Sequence, residues 1–218
     1  MSPAITWLSA VAGLLIGILF LVALFRRRER ERTESLRQLA ETTGLVFEPK
    51  ADVAAVRARG DVQLFDRGHS KRVTNLMTGR MDGQAIAIFD YRYTTGSGKN
   101  QHTELQTVVL LAEAKPTFPD LQLAPENPLT RIAEAFGYQD IDLESSPEFS
   151  RRYVVKGADE AAIRAALYPG AASYFAQHEG WTVELKSGSL ALYRAHRRVK
   201  AADMRMFIEE ALAAARSL

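Results

Sequence analysis

The chain of 218 residues contains no cysteine. This absence excludes disulfide bonds, zinc sites built from thiolates, iron–sulfur clusters and cysteine nucleophiles. Histidine is scarce as well. Its four copies stand alone in different segments, and no pair has the helical spacing of a zinc protease. No serine lies in the Gly-x-Ser-x-Gly pattern of serine hydrolases. The sequence therefore supports neither a metallohydrolase nor a serine hydrolase.

A large excess of one charge is also absent. The formal net charge is +2, and residues 26–32, with five arginines and two glutamates, contribute +3 of it, which leaves the rest of the chain near −1. Domains that bind nucleic acids carry a strongly basic surface. We therefore expect no nucleic-acid partner.

What the sequence does contain is an uncharged apolar run over residues 5–25, followed at once by the arginine-rich segment 26–32. A helix of this length measures about 31 Å, close to the hydrocarbon thickness of a bilayer. The pattern predicts one retained transmembrane helix rather than a cleaved signal peptide, since the start carries no side-chain charge. Because arginines stay on the cytoplasmic side, it also predicts an external N-terminus and a cytoplasmic C-terminal domain at the inner membrane.

This interpretation divides the chain into four parts. A short tail, 1–4, precedes the transmembrane helix, 5–25, and a basic juxtamembrane and stalk helix, 26–43, leads to a domain over 44–218 that is either one unit or two lobes divided near 115–128. The lipid bilayer is the expected partner of the apolar run. Anionic headgroups are expected at five arginines: Arg26, Arg27, Arg28, Arg30 and Arg32.

Three small residues, Ser9, Gly13 and Gly17, recur every four positions in the apolar run. They share one helix face and could allow a second helix to approach closely, which indicates a possible homodimer seam. Small residues are also common in membrane helices that do not associate, and the spacing alone does not separate the two explanations.

The remaining pattern predicts an α+β fold, with a mainly antiparallel sheet and packed helices following the transmembrane helix. Segments 73–80, 84–94 and 103–112 resemble strands joined by short turns, which predicts an antiparallel meander with a central middle strand. Segments 181–186 and 190–196 form a second predicted hairpin. From Met204 to the C-terminus, apolar residues recur at helical spacing, which predicts an amphipathic helix that packs on the sheet.

Several segments resemble a family of uncharacterised bacterial proteins that usually have one membrane helix and a soluble domain. The similarity covers most of the chain after Leu36 and lies in five segments: Asn75-Leu76-Met77-Thr78-Gly79, Phe89-Asp90-Tyr91-Arg92-Tyr93-Thr94-Thr95, Gln106-Thr107-Val108-Val109, Gln139-Asp140-Ile141-Asp142-Leu143-Glu144-Ser145 and Glu148-Phe149-Ser150-Arg151. The resemblance implies a bacterial envelope protein and carries no activity, cofactor or site residue.

Three local patterns could carry chemistry. Residues 96–99 read Gly-Ser-Gly-Lys, but the first glycine and the Ser or Thr of a phosphate-binding loop are missing, which favours a hairpin tip. Asp140, Asp142 and Glu144 alternate, so a strand would direct three carboxylates to one side, as a cation site or as an exposed face balanced by nearby arginines. Asp90 and Arg92 share another strand face, as a buried charge network or a small pocket.

These patterns assign no catalytic, cofactor-binding or metal-binding residue. The expected function is that of a membrane-tethered cytoplasmic module that binds an unknown ligand or partner. The alternative is a membrane-tethered enzyme that uses the carboxylates of Asp90, Asp140, Asp142 or Glu144. Convergence of at least two of them in one deep pocket would favour this alternative, and dispersal over the surface would count against it.

Overall fold

The computed structural model of the chain describes residues 3–115, 117–126, 141, 143 and 146–218, apart from the side chains of residues 3–12, 14 and 169. Its helices are α1 (Pro3–Thr43), α2 (Val53–Arg57), α3 (Pro147–Ser150), α4 (Glu160–Ala166), α5 (Pro169–Gln177) and α6 (Met204–Ser217). Its strands are β1 (Val46–Ala51), β2 (His69–Met81), β3 (Gln84–Thr95), β4 (His102–Leu111), β5 (Leu121–Pro125), β6 (Tyr153–Gly157), β7 (Thr182–Lys186) and β8 (Ser189–Tyr193).

The strands form one eight-stranded sheet in the order β1-β2-β3-β4-β8-β7-β5-β6, and every neighbouring pair is antiparallel. The predicted meander is present as β2, β3 and β4, with the turn after Met81 joining the first two strands. The predicted second hairpin is β7 and β8. The structure is therefore α+β, with helices packed on a large antiparallel sheet.

Alternation along the strands separates two hydrophobic cores, one on each face of the sheet. On β3, Ile86 and Ile88 belong to the core that contains residues of α1, α5 and α6, which we call the helix-side core. Phe89 and Tyr91 belong to the core beneath α2 and the 3-10 turn Gln63–Asp66, which we call the turn-side core. Successive residues of a strand point to opposite faces of the sheet. A strand that is covered on both faces therefore has apolar residues at both its odd and its even positions. This explains why β3 is central.

The last helix confirms the periodicity of the sequence. Its apolar stripe is buried in the helix-side core, and the indole of Trp181 stacks on Phe207 with ring centroids 5.2 Å apart. The stripe of α6 comprises Met204, Phe207, Ile208, Ala211, Leu212, Ala214 and Ala215.

The predicted transmembrane helix over residues 5–25 is wrong, and with it the single-pass transmembrane part of the expected fold class. Among the residues that the structure describes, no helix combines the length and the apolar character that crossing a membrane requires. The physical reason lies in α1 itself. The helix extends over Pro3–Thr43 and does not end where the apolar run ends. The same helix then continues into seven consecutive charged residues, 26–32.

Candidate functional site

The carboxylate of Asp90, on β3, is the centre of the most connected polar network in the described structure. The side chain is 1% exposed and faces α1. Five hydrogen bonds reach its two oxygens: Oδ1 accepts from Arg32 Nη2 (2.8 Å) and Thr107 Oγ1 (2.8 Å), and Oδ2 accepts from Arg32 Nε (3.0 Å), Asn75 Nδ2 (3.0 Å) and Arg198 Nε (3.0 Å). We call Asp90 and these four donors the Asp90 network.

Three adjacent strands supply the sheet side of the Asp90 network. Asp90 lies directly opposite Thr107 of β4 and Thr74 of β2. The pairing of β2 with β3 shifts after Thr74, and Asn75 has a φ of +53°, a left-handed conformation that asparagine tolerates better than most residues. This irregularity places the Asn75 amide beside the carboxylate. Asn75, Asp90 and Thr107 each lie in one of the segments on which the family resemblance depends.

Helix α1 and the segment after β8 supply the other side. Arg32 Nη1 donates to the carbonyl of Val199 at 2.6 Å, in addition to its two bonds to Asp90. The guanidinium of Arg198 donates to both carboxylate oxygens of Glu29 on α1, each at 2.6 Å. Thr33 of α1 donates to Asn75 Oδ1 at 2.9 Å. Two arginines therefore connect the helix, the sheet and the C-terminal segment.

Electrostatics keep this network charged. Burial opposes ionisation of Asp90, but the hydrogen bond from Arg32 and the positive charges of Arg32 and Arg198 outweigh it, so the pKa of Asp90 is lowered. The pKa of Glu29 is lowered too, chiefly by its hydrogen bonds from Arg198. A charge-assisted, bidentate contact of this kind is stronger than a neutral hydrogen bond.

The geometry indicates a structural role for the Asp90 network. Both oxygens of Asp90 are occupied by protein donors, and the side chain has almost no exposed surface on which a substrate could bind. The network joins residues of α1 to strand residues 42 and 58 positions later, so its effect is to fix the helix on the sheet. A buried pair that loses one partner costs about 3–5 kcal/mol, whereas exposed pairs contribute less than about 1 kcal/mol.

The remaining candidate residues from the sequence are dispersed or lie elsewhere. Asp140, Asp142 and Glu144 lie outside the described residues. Arg92 does not pair with Asp90 and is exposed to solvent. Within the described ranges, no group of three or more His, Asp and Glu side chains could hold a metal ion. Residues 96–99 lie in the loop between β3 and β4, where the sequence placed a hairpin tip.

A second buried carboxylate, Glu184 on β7, was not anticipated. Its side chain is fully buried and accepts from the backbone N–H of Leu64 at 2.6 Å, Arg67 Nη2 at 2.5 Å and Tyr193 Oη at 2.7 Å. It thereby fixes the 3-10 turn over the turn-side core. The only sequence signal is a glutamate in an otherwise buried strand, since its partners lie 9 to 120 positions away.

The N-terminal half of α1 has a different character from the half that contacts the sheet. From Leu15 to Phe25, nine large apolar side chains are 38–68% exposed. Of the five arginines expected at headgroups, Arg27 pairs with Glu31 at the surface and Arg32 is drawn into the Asp90 network, where its side chain is 11% exposed. The prediction of a dimer seam stays a prediction. Gly13 and Gly17 have open space around them, and the Ser9 side chain lies outside the described part.

Comparison with known proteins gives one structural neighbour. The chain matches no protein-family model and no curated protein. It is similar to the crystal structure of the mycobacterial trehalose monomycolate transport factor A, TtfA, with a TM-score of 0.59 and 13% sequence identity over 86% of this chain and 92% of that one. At this identity the similarity shows a common fold.

Proposed function

We propose that this protein is a membrane-associated binding or interaction module that holds its sheet domain at the cytoplasmic face of a bacterial inner membrane. The domain presents a surface to a partner or ligand there and carries no catalytic centre in this proposal. The supporting observation is the contrast within α1. One half is fixed to the sheet by buried ion pairs, and the other exposes large apolar side chains in every direction.

An exposed apolar surface of this size favours a lipid environment. Monomeric soluble proteins rarely expose large contiguous apolar patches, and here nine large side chains follow one another along one helix. Removing each such side chain from water contributes about 1.5–3 kcal/mol.

The charge that follows the apolar stretch supports the cytoplasmic leaflet. Arg26, Arg28 and Arg30 come directly after Phe25 and form no ion pair with any described residue. The cytoplasmic leaflet is anionic, and basic residues beside an apolar segment bind its headgroups. The family resemblance, which implies a bacterial envelope protein, is consistent with this location.

The structural neighbour adds a limited argument. It is named a trehalose monomycolate transport factor, so the fold of this chain occurs in a protein named for a transport process. By analogy, the partner of the sheet domain would be another component at the membrane rather than a soluble substrate. The exposed helix carries the proposal, and this analogy is secondary to it.

The test is a measurement of how the full-length chain partitions between water and lipid vesicles. We expect the Leu19→Glu/Val22→Glu double variant to bind vesicles at least ~100-fold more weakly, because two apolar contacts are lost and two charges are introduced. Leu19 is 68% and Val22 41% exposed, so neither substitution disturbs a core. The control is Val46→Glu, since Val46 is 64% exposed on β1. Equal binding by the double variant and the wild type would contradict the proposal.

The side of the membrane is tested separately by proteolysis. In bacterial spheroplasts the sheet domain should resist added protease, and in inverted membrane vesicles it should be cleaved. Cleavage in intact spheroplasts would contradict the cytoplasmic location while leaving lipid association in place.

A further inference from the structure

Two exposed arginines, Arg72 of β2 and Arg92 of β3, lie directly opposite each other in the sheet. They are on the same face as Asp90, because Arg92 is two residues further along β3. Neither makes an ion pair with any residue in the described ranges. The acidic residues of α1 near Arg32 are already engaged, Glu29 with Arg198, Glu31 with Arg27 and Glu34 with Arg37.

This arrangement is unfavourable for the isolated fold. Like charges directly opposite on neighbouring strands destabilise a sheet, and here no described carboxylate compensates. The same pair on a surface that meets an anionic partner becomes favourable, because two guanidinium groups in adjacent positions can contact phosphate oxygens together.

The position of the pair relative to α1 identifies that partner. Helix α1 runs along the sheet, and two contacts fix its direction. Leu45, just after the end of α1, lies against Gly79, which is paired with Ile86. Nearer the N-terminus, Arg32 contacts Asp90. Its N-terminal direction is therefore the direction from Ile86 towards Thr95. One helical turn from Arg32 towards the N-terminus, ~6 Å, reaches Arg28. Two residues along β3 from Asp90, about 6.6 Å, reach Arg92.

Arg72 and Arg92 are thus at the level of the arginine-rich turns of α1, which border its exposed apolar stretch. We propose that Arg72 and Arg92 form a second contact with anionic lipid headgroups, so that the sheet itself, and not only the helix, faces the membrane surface. This inference rests on the proposed membrane association of α1. It adds that the sheet, as well as α1, contributes to the dependence on lipid charge, and that Arg72 and Arg92 mark the part of the sheet that lies towards the lipid.

The experiment measures partitioning of the full-length chain onto neutral phosphatidylcholine vesicles and onto vesicles that also contain phosphatidylglycerol. Each basic residue near an anionic surface contributes about fivefold to binding. The Arg72→Gln/Arg92→Gln variant should therefore bind the anionic vesicles about 25-fold more weakly and the neutral vesicles with unchanged affinity. The control is Arg151→Gln/Arg205→Gln, which removes the same charge from two exposed arginines without a described ion pair. This control should behave nearly as the wild type.

The outcomes separate the two proposals. If the wild type binds neither kind of vesicle, the membrane association fails. If it binds both kinds and Arg72→Gln/Arg92→Gln matches the wild type, the headgroup contact is refuted and the association through α1 stands. Inorganic phosphate, added at constant ionic strength, should not displace the chain from anionic vesicles. Displacement equal to the effect of the double variant would assign the pair to a small anion and overturn the lipid contact.

Discussion

Replacing Asp90 by asparagine should lower the free energy of unfolding more than any single substitution at the surface of the domain. The substitution keeps the shape of the side chain but removes its charge and half of its acceptor capacity. Five donors now converge on two oxygens. In the variant one of those positions becomes an NH2 group that faces other donors, and Arg32 and Arg198 lose their buried counter-charge.

The expected magnitude follows from burial. Breaking a buried ion pair by removing one partner costs about 3–5 kcal/mol. For a chain of 150–250 residues, each kcal/mol lowers Tm by about 2–4 °C, so we expect Asp90→Asn to lower Tm by about 6–20 °C. The matched control is Asp82→Asn in the turn that begins the same strand. Its carboxylate is 70% exposed and, among the described residues, pairs with the exposed Arg216, so its loss should cost less than about 1 kcal/mol.

The assay is equilibrium unfolding of the full-length chain by denaturant, followed by tryptophan fluorescence. In a Trp7→Phe background the only tryptophan is Trp181, which is 1% exposed and stacked on Phe207 in the helix-side core. A double-mutant cycle of Asp90→Asn with Arg32→Gln should give a coupling free energy above about 1.5 kcal/mol. If Asp90→Asn lowered the free energy of unfolding by less than about 1 kcal/mol, or showed no coupling with Arg32, the conclusion that the Asp90 network holds α1 on the sheet would be refuted.

Three further predictions test other features. The pKa of Asp90 is lowered in the folded state, so the contribution of this carboxylate to stability should be present above about pH 4 and should be lost as the pH falls towards the folded pKa. The acid-unfolding curve of Asp90→Asn should lack this loss. Glu184→Gln should cost about 3–5 kcal/mol of unfolding free energy, measured by denaturation, because it leaves Arg67 without its counter-charge. Gly17→Leu should reduce chemical crosslinking between copies if the dimer seam exists; since a Cβ at Gly17 meets nothing within 4 Å, the monomer itself should be unaffected, and unchanged crosslinking would end that prediction.

The parts of the fold that the sequence predicts are those set by local pattern. The meander of β2, β3 and β4 follows from alternation and short turns, and α6 follows from its stripe, because both signals lie within about a dozen residues. The order β4-β8-β7-β5-β6 depends on contacts between distant segments. Periodicity carries no information about which distant strand becomes a neighbour, so in this half of the sheet only the β7–β8 hairpin could be derived.

The Asp90 network was visible only in part. The sequence interpretation recognised that Asp90 is a charge among apolar neighbours, but it took Arg92 as the partner because the two share a strand face. The actual partners lie 58 and 108 positions from Asp90. One signal was present and unused, because Glu29, Arg32, Thr33, Leu36 and Ala40 recur at helical spacing and mark the face of α1 that contacts the sheet. Read by hydropathy alone, the arginine run of α1 looked uniform.

The two halves of α1 give the Asp90 network a consequence beyond stability. Phe25 and Arg32 are seven residues apart, ~10 Å along one helix, and residues 18–43 contain neither glycine nor proline, the usual causes of a kink. The Asp90 network therefore sets the angle between the exposed apolar stretch and the sheet. It also sets the position of Arg72 and Arg92 relative to a lipid surface that the apolar stretch contacts. Weakening the Asp90 network should leave the contact of the apolar stretch with lipid intact while separating Arg72 and Arg92 from the headgroups. Asp90→Asn should then bind neutral vesicles as the wild type does and lose part of the added affinity for anionic ones, under conditions in which the domain remains folded.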